Sequence, residues 1–95
     1  MEAKQKTAKQ IERHFKGAAN HWRIDLLLLV AKRPGITVEE LSRQLEGNVK
    51  TISEHTRRLV QSGLVNKSYQ GRNVAHELSP YGIRFCAFIR TFQHS

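Results

Sequence analysis

Side chains able to form hydrogen bonds and ion pairs are concentrated between residues 48 and 58. A helix carrying them would fit the DNA major groove, where each base pair displays its own pattern of donors and acceptors. The predicted chemistry is therefore recognition of double-stranded DNA, and the alternative is a helical hairpin with a solvated basic face. The side chains are Asn48, Lys50, Thr51, Ser53, Glu54, His55, Arg57 and Arg58.

These side chains divide by chemistry into readers of base edges and holders of phosphates. Base edges are read by side chains that match their donors and acceptors, whereas arginine and lysine on the backbone mainly fix position. One arginine could also reach a guanine. The predicted base-reading set is Lys50, Thr51, Ser53, Glu54 and His55, and the phosphate-holding set is Arg57, Arg58 and Arg72. Asn48, at the helix start, is also predicted to bind DNA.

Residues 37–63 have the sequence of a helix-turn-helix. Thr37 is a good N-cap, and Glu40 three residues later completes a capping box. Gly47 is expected to supply the positive φ that ends this helix sharply, and Asn48 to cap the next one. Gly63 ends the second helix. Its predicted inward stripe is Val49, Ile52, Thr56, Leu59 and Val60.

Two helices are predicted before this motif. The first runs from about Lys4 to Lys16 and is ended by a break at residues 17–20. The second covers residues 21–32 and is apolar nearly all round, which is typical of a buried central helix. Trp22 on it is expected to serve packing rather than ligand binding. Ile36 is expected to form a short extended segment before the Thr37 cap.

A β-hairpin and a last helix are predicted after Gly63. Residues 64–78 contain two short runs with strand character, LVNKS and NVAHEL, separated by the turn-forming YQGRN. Arg72 would lie at or near the tip, where it could reach a phosphate or the minor groove. Ser79 and Pro80 form a strong helix start, so the last helix is expected over residues 80–93.

The last helix carries more aromatic surface than one short terminal helix needs, and the thin apolar stripe of the first helix is expected to pack against it. An exposed apolar patch of this kind usually marks an interface. We therefore expect a homodimer, which also suits a helix-turn-helix that reads two half-sites. The predicted interface residues are Ile11, Phe15, Phe85, Phe88, Ile89 and Phe92.

Composition narrows the classes of function. The 95 residues predict one domain over 1–95, and the net charge of +8 with a pI near 10.3 favours a nucleic-acid binder over other classes. No apolar run approaches a membrane span, so no membrane partner is expected. The single Cys86 is expected to be buried and inert, and it fits a reducing cytoplasm. No catalytic residue, metal site or cofactor is predicted.

The chain resembles the ArsR-like winged helix-turn-helix regulators over roughly residues 15–90. Residues 19–27, ANHWRIDLL, are similar to the family's Ala-Asp-Pro-x-Arg-Leu-x-Ile-Leu, and SEHTRRL at 53–59 is similar to its Ser-x-His-Leu-x-x-Leu. GLV at 63–65 matches the end before the wing, and LSPYG at 78–82 looks more like a MarR-type wing exit. The resemblance implies a mainly α fold with a three-helix core, a small β-hairpin wing and terminal dimerisation helices, with Ser53 and His55 facing the groove.

Two departures from the family bear on function. Metal-sensing members carry Glu-Leu-Cys-x-Cys-Asp-Leu, where this chain has ELSRQL at 40–45, so that thiolate metal site is lost. Thr56 replaces an apolar residue and is expected to thin the core slightly. The rival functions are a winged helix used for protein–protein assembly and a non-specific architectural DNA-binding protein.

Overall fold

The computed structural model describes residues 5–94, which form five helices and one hairpin. The predicted fold class, mainly α with a β-hairpin wing, is confirmed. The two strands pair antiparallel. In chain order the elements are α1 (Ala8–Ala18), α2 (His21–Lys32), α3 (Val38–Leu45), α4 (Val49–Gln61), β1 (Val65–Gln70), β2 (Asn73–Leu78) and α5 (Pro80–Gln93).

Helix α2 lies at the centre of the core, as predicted from its apolar composition. It packs against α1, α3, α4, α5 and β2. Its residues Leu26, Leu27 and Val30 are fully buried, and Trp22 is half-buried against the same cluster. The helix-turn-helix is thereby held on a fixed support. The other large buried side chains are Leu41, Ile52, Leu59, Leu64 and Val65.

Helix α1 begins later than predicted. Thr7 is its N-cap and forms a capping box with Gln10, so the helix starts at Ala8 rather than near Lys4. Lys4 itself lies outside the described residues. A cap hydroxyl that satisfies an otherwise unpaired backbone N–H fixes the start more strongly than the sparse apolar pattern does.

The predicted break at residues 17–20 begins two residues later than expected, because Gly17 and Ala18 still belong to α1. A Cβ on Gly17 would lie 2.2 Å from Cβ of Ser62, so glycine lets the backbone of α1 approach the end of α4. The chain leaves the helix after Ala18. Asn20 then caps α2 by accepting from the backbone N–H of Trp22 at 2.9 Å.

The turn between α3 and α4 differs from the prediction in which residue takes positive φ. Glu46 does so, with φ of 52°, and Gly47 does not. A Cβ on Gly47 would lie 2.8 Å from Cδ1 of Ile52, so this glycine provides space for packing. The Thr37–Glu40 capping box and the Asn48 cap are confirmed.

The predicted inward position of Val49 is wrong. This side chain is 49% exposed, because it lies in the first turn of α4 on the side that borders the hairpin. Ile52, Thr56 and Leu59 do face inward. The packed stripe of α4 is therefore narrower than the sequence pattern indicated.

The first strand of the hairpin extends further, and the turn is shorter, than predicted. Tyr69 and Gln70 continue β1, and Gln70 pairs with Asn73, which leaves Gly71 and Arg72 as a two-residue turn. Gly71 has φ of 65° and Arg72 has no positive φ, the pattern of a type II′ turn. The extended segment at residue 36 is confirmed by a bridge between Ile36 and His76 at the base of the hairpin.

Helix α5 starts as predicted, with Ser79 as its cap and Pro80 in the first position. Gly82 lies against the backbone carbonyl of Leu64, which brings the helix close to the start of β1. Cys86 is buried, with its Sγ 3.7 Å from the carbonyl oxygen of Leu27. No helix within residues 5–94 has the length and hydropathy needed to cross a bilayer.

Candidate nucleic-acid interface

Helix α4 is fixed in rotation by three buried side chains. Ile52, Thr56 and Leu59 point into the core, and the Thr56 hydroxyl donates to the carbonyl oxygen of Ile52 at 2.7 Å. The polar group therefore has its partner within the helix, where it costs little. Since side chains repeat every 3.6 residues, the opposite face of α4 must project into solvent.

The exposed face of α4 carries most of the predicted DNA-binding set. Asn48 is exposed and also caps α4. Its Oδ1 accepts from the backbone N–H groups of Lys50 and Thr51 at 2.9 and 3.3 Å. The side chain of Asn48 is thus committed to the helix start. The exposed set comprises Asn48, Lys50, Thr51, Ser53, Glu54, Arg57 and Arg58.

A groove of about 360 Å³ separates α4 from the hairpin. Ser53 and Arg57 line it from the helix, while Lys67, Tyr69 and Arg72 line it from the hairpin. The structure therefore brings Arg72, at the turn, to the same opening as two residues predicted on α4. Three cationic side chains and one carboxylate, that of Glu39, line the groove, and the excess of positive charge suits a polyanion.

Glu54 is engaged by a neighbour on α4. Its carboxylate forms an ion pair with Arg57, three residues on, and both side chains are solvent-exposed. The hydrogen bond from Arg57 lowers the pKa of the Glu54 carboxyl and the same contact raises the pKa of Arg57. Glu54 therefore already has a charged partner on its own helix before any base is bound.

His55 occupies a different flank of α4, next to α2. It is half-buried, and its Nδ1 lies 3.2 Å from Nη1 of Arg23. Arg23 also donates from Nε to the carbonyl oxygen of Gly17 at 2.6 Å, so one guanidinium joins α1, α2 and α4. Burial first, and then the charge of Arg23, lowers the pKa of His55.

Helix α1 contacts the end of α4 through two polar side chains. Arg13 donates from Nε to the carbonyl oxygen of Gln61 at 3.1 Å. Nδ1 of His14 lies 2.7 Å from the carbonyl oxygen of Ser62, and since a carbonyl only accepts, Nδ1 donates. The carbonyls of the last residue of α4 and of its C-cap, Ser62, are therefore satisfied by α1.

The predicted dimer residues lie together on α1 and α5. The Phe15 ring centroid is 5.1 Å from that of Phe85 and 6.1 Å from that of Phe88. Phe85 and Ile89 are half-buried within the chain. Ile11, Phe15, Phe88 and Phe92 remain exposed, and we name these four the apolar face.

The helix-turn-helix region matches a known family. Residues 21–67 fit the sequence model of the bacterial regulatory protein, arsR family. The chain is an ArsR-like winged helix-turn-helix protein. The resemblance drawn from ANHWRIDLL and SEHTRRL is thereby confirmed. No curated protein matches the chain at a significant level.

Solved structures share this fold. HlyU from Vibrio cholerae is 24% identical, with a TM-score of 0.84 over 97% of this chain and 100% of that one. The homodimeric winged helix-turn-helix DNA-binding domain of Mb0332 from Mycobacterium bovis is 24% identical, with a TM-score of 0.81 over 98% and 91%. MarR is 22% identical, with a TM-score of 0.76 over 90% of this chain and 66% of that one. At these identities, the likeness establishes the fold of the ArsR-like chain.

Three residues at this interface were missed by sequence reasoning. Every second position of β1 is occupied by Val65, Lys67 and Tyr69. Because successive side chains of a strand point to opposite faces, all three lie on one side of it. That alternation could have identified them. Arg23 gave no such signal, because its contact with His55 joins residues 32 positions apart. Within the described chain, no three His, Cys, Asp or Glu side chains cluster as metal ligands.

The lowered pKa of His55 predicts how its contribution to stability depends on pH. The unfolded chain binds more protons between the folded-state pKa and the ordinary value of about 6.5. The contribution of His55 is thus fully present above about pH 6.5 and is lost as pH falls through the folded pKa. Urea unfolding measures the free energies of unfolding of wild type and of His55→Gln. On acidification, wild type should lose more of this free energy than the variant does. A difference that is constant with pH would contradict this.

Proposed function

We propose that this chain is a sequence-specific, double-stranded DNA-binding transcriptional regulator that acts as a homodimer. The observation that carries the proposal is the projection of the polar face of α4 beside a hairpin whose turn holds Arg72. The major groove is wide enough to admit helix α4, and the hairpin would follow the adjacent backbone. A regulator of transcription works where the DNA lies, so we propose the cytoplasm.

The apolar face supports the homodimer. Phe88 and Phe92 are 44% and 64% exposed, next to exposed Ile11 and Phe15 on α1. Contiguous aromatic surface of this kind commonly marks an interface. The homodimeric state of the Mb0332 domain, which has the same fold, supports a second copy of this chain as the partner.

Within this proposal, the exposed residues of α4 divide by position. Lys50, Thr51, Ser53 and Glu54 are assigned to base edges. Arg57 and Arg72, which border the groove, are assigned to phosphates on the hairpin side. Arg58 is assigned to phosphates on the side next to α2.

Selection of bound duplexes from a random-sequence pool tests the proposal. An enriched inverted repeat with half-sites about one helical turn apart is expected. Retention without a consensus, with steep release by salt, would instead indicate architectural binding to the backbone. No retained DNA would favour the protein-assembly alternative and overturn the proposal.

Arg72→Ala should weaken binding about equally for the selected duplex and for a scrambled duplex of the same composition. Loss of one phosphate contact should lower the slope of log affinity against log salt by about 1. Fluorescence anisotropy titrations at several salt concentrations measure both quantities. Arg90→Ala is the matched control, since it removes the same charge from an exposed position on α5. Equal effects of the two substitutions would show that only net charge matters.

A further inference from the structure

The contact between Arg23 and His55 determines which imidazole nitrogen carries a hydrogen. A guanidinium has only donors, so Nη1 of Arg23 can bond to Nδ1 of His55 only if Nδ1 accepts. A neutral imidazole has one donor and one acceptor nitrogen. The hydrogen therefore lies on Nε2.

Nε2 of His55 is directed to solvent. Among residues 5–94 it has no hydrogen-bond partner. It is also not buried, because the buried side-chain polar atoms without a partner in this range are Nε2 of His14 and Oγ of Ser42. A half-buried ring held on one side by Arg23 thus offers one oriented N–H group on its other side. An oriented donor next to solvent is suited to an acceptor on a ligand.

The surroundings of this donor are cationic. The titratable groups that act on His55 are His21 and Arg23 from α2 and Glu54 and Arg58 from α4, and two of these are arginines. Glu54 is the only carboxylate in this set, and it is paired with Arg57. Arg58 also acts on Arg23, where its charge adds to burial in lowering the pKa of the guanidinium. An anion placed here would relieve the repulsion between these cations.

We propose that Arg23 is a positioning residue that fixes the tautomer of His55, so that Nε2–H donates to a backbone phosphate of bound DNA beside Arg58. This inference rests on the proposed DNA-binding function and revises one part of the sequence prediction. His55 is assigned to the backbone rather than to base edges, because it lies half-buried on the flank of α4 next to α2 and not on its outward face.

Nitrogen-15 NMR of the free protein tests the positioning step without DNA. The His55 signals are assigned by their loss in His55→Gln. In wild type, Nδ1 is expected at the chemical shift of an unprotonated ring nitrogen and Nε2 at that of a protonated one. In Arg23→Gln, the two shifts should move toward each other as the tautomers mix. A proton on Nδ1 in wild type would overturn the proposal.

Affinity measurements test the phosphate contact. His55→Ala should weaken the selected and the scrambled duplex alike, on the order of tenfold for a hydrogen bond to a charged group. Arg23→Gln should weaken binding in the wild-type background and add nothing in the His55→Ala background, since it acts through His55. Thermal unfolding checks that each variant is folded. If Arg23→Gln is not, Arg23→Met replaces it, since a methionine side chain has no donor to bond to Nδ1 of His55.

The outcomes separate the two proposals. If wild type binds no duplex, the proposed function and the phosphate contact both fail, while the NMR result still decides whether Arg23 positions His55. If wild type binds DNA but His55→Ala weakens only the selected duplex, His55 reads a base and this inference is wrong. Additive effects of Arg23→Gln and His55→Ala would show that Arg23 acts on DNA independently.

Discussion

Gly82→Ala is expected to lower the free energy of unfolding by about 3 kcal/mol or more, the upper end for overpacking. A Cβ on this residue would lie 2.0 Å from the carbonyl oxygen of Leu64 and 3.1 Å from its carbonyl carbon. Neither is the movable end of a side chain, so α5 must shift away from the start of β1. Urea unfolding followed by circular dichroism measures the loss.

Ala87→Ser is the matched control for this substitution. It also adds one heavy atom to a residue of α5, but at an exposed position. It should change the free energy of unfolding by less than about 0.5 kcal/mol. If Gly82→Ala were as stable as this control, the close approach of α5 to Leu64 would not exist in solution.

Phe88→Glu is expected to convert the proposed dimer to a monomer and to weaken binding to a two-half-site duplex by roughly 100-fold. Phe88 is exposed on the apolar face and lies between Phe15 and Phe92, with ring centroids 6.1 and 4.9 Å away. A charge buried there without a partner is costly. Losing the second linked half-site removes an avidity gain of about 10² to 10⁴.

Ile83→Glu is the control for Phe88→Glu. Ile83 is 60% exposed on the same helix but lies outside the apolar face. This variant should remain dimeric by analytical ultracentrifugation and keep wild-type affinity. If both variants remained dimeric, the apolar face would not be the dimer interface. A monomer from both would indicate that any added charge on α5 is sufficient.

Most of the helical framework could be predicted from the sequence because local signals specify it. The cap at Thr37 with Glu40 and the Ser79–Pro80 start are satisfied within one turn of the chain. The apolar composition of residues 21–32 likewise predicted a buried helix. Such features need no knowledge of distant residues.

Two of the predictions that failed concern glycines that packing requires, rather than the helix end or positive φ predicted for them. Glycine often ends a helix, but Gly17 lies inside α1, because it packs against Ser62. Gly47 likewise provides space for Ile52 and leaves the positive φ to Glu46. For the candidate site, the residue types on α4 could be predicted. The position of His55 against Arg23 could not, since it depends on how α2 and α4 pack.

The hydrogen bonds from α1 to the carbonyls at the end of α4 link the apolar face to the orientation of α4. Arg13 and His14 hold Gln61 and Ser62, while Ile11 and Phe15 of the same helix belong to the apolar face. A second copy docked on that face would set the tilt of α1 and, through these bonds, the angle of α4. One rigid helix would thus determine both the spacing of the two reading helices and how steeply each enters its groove.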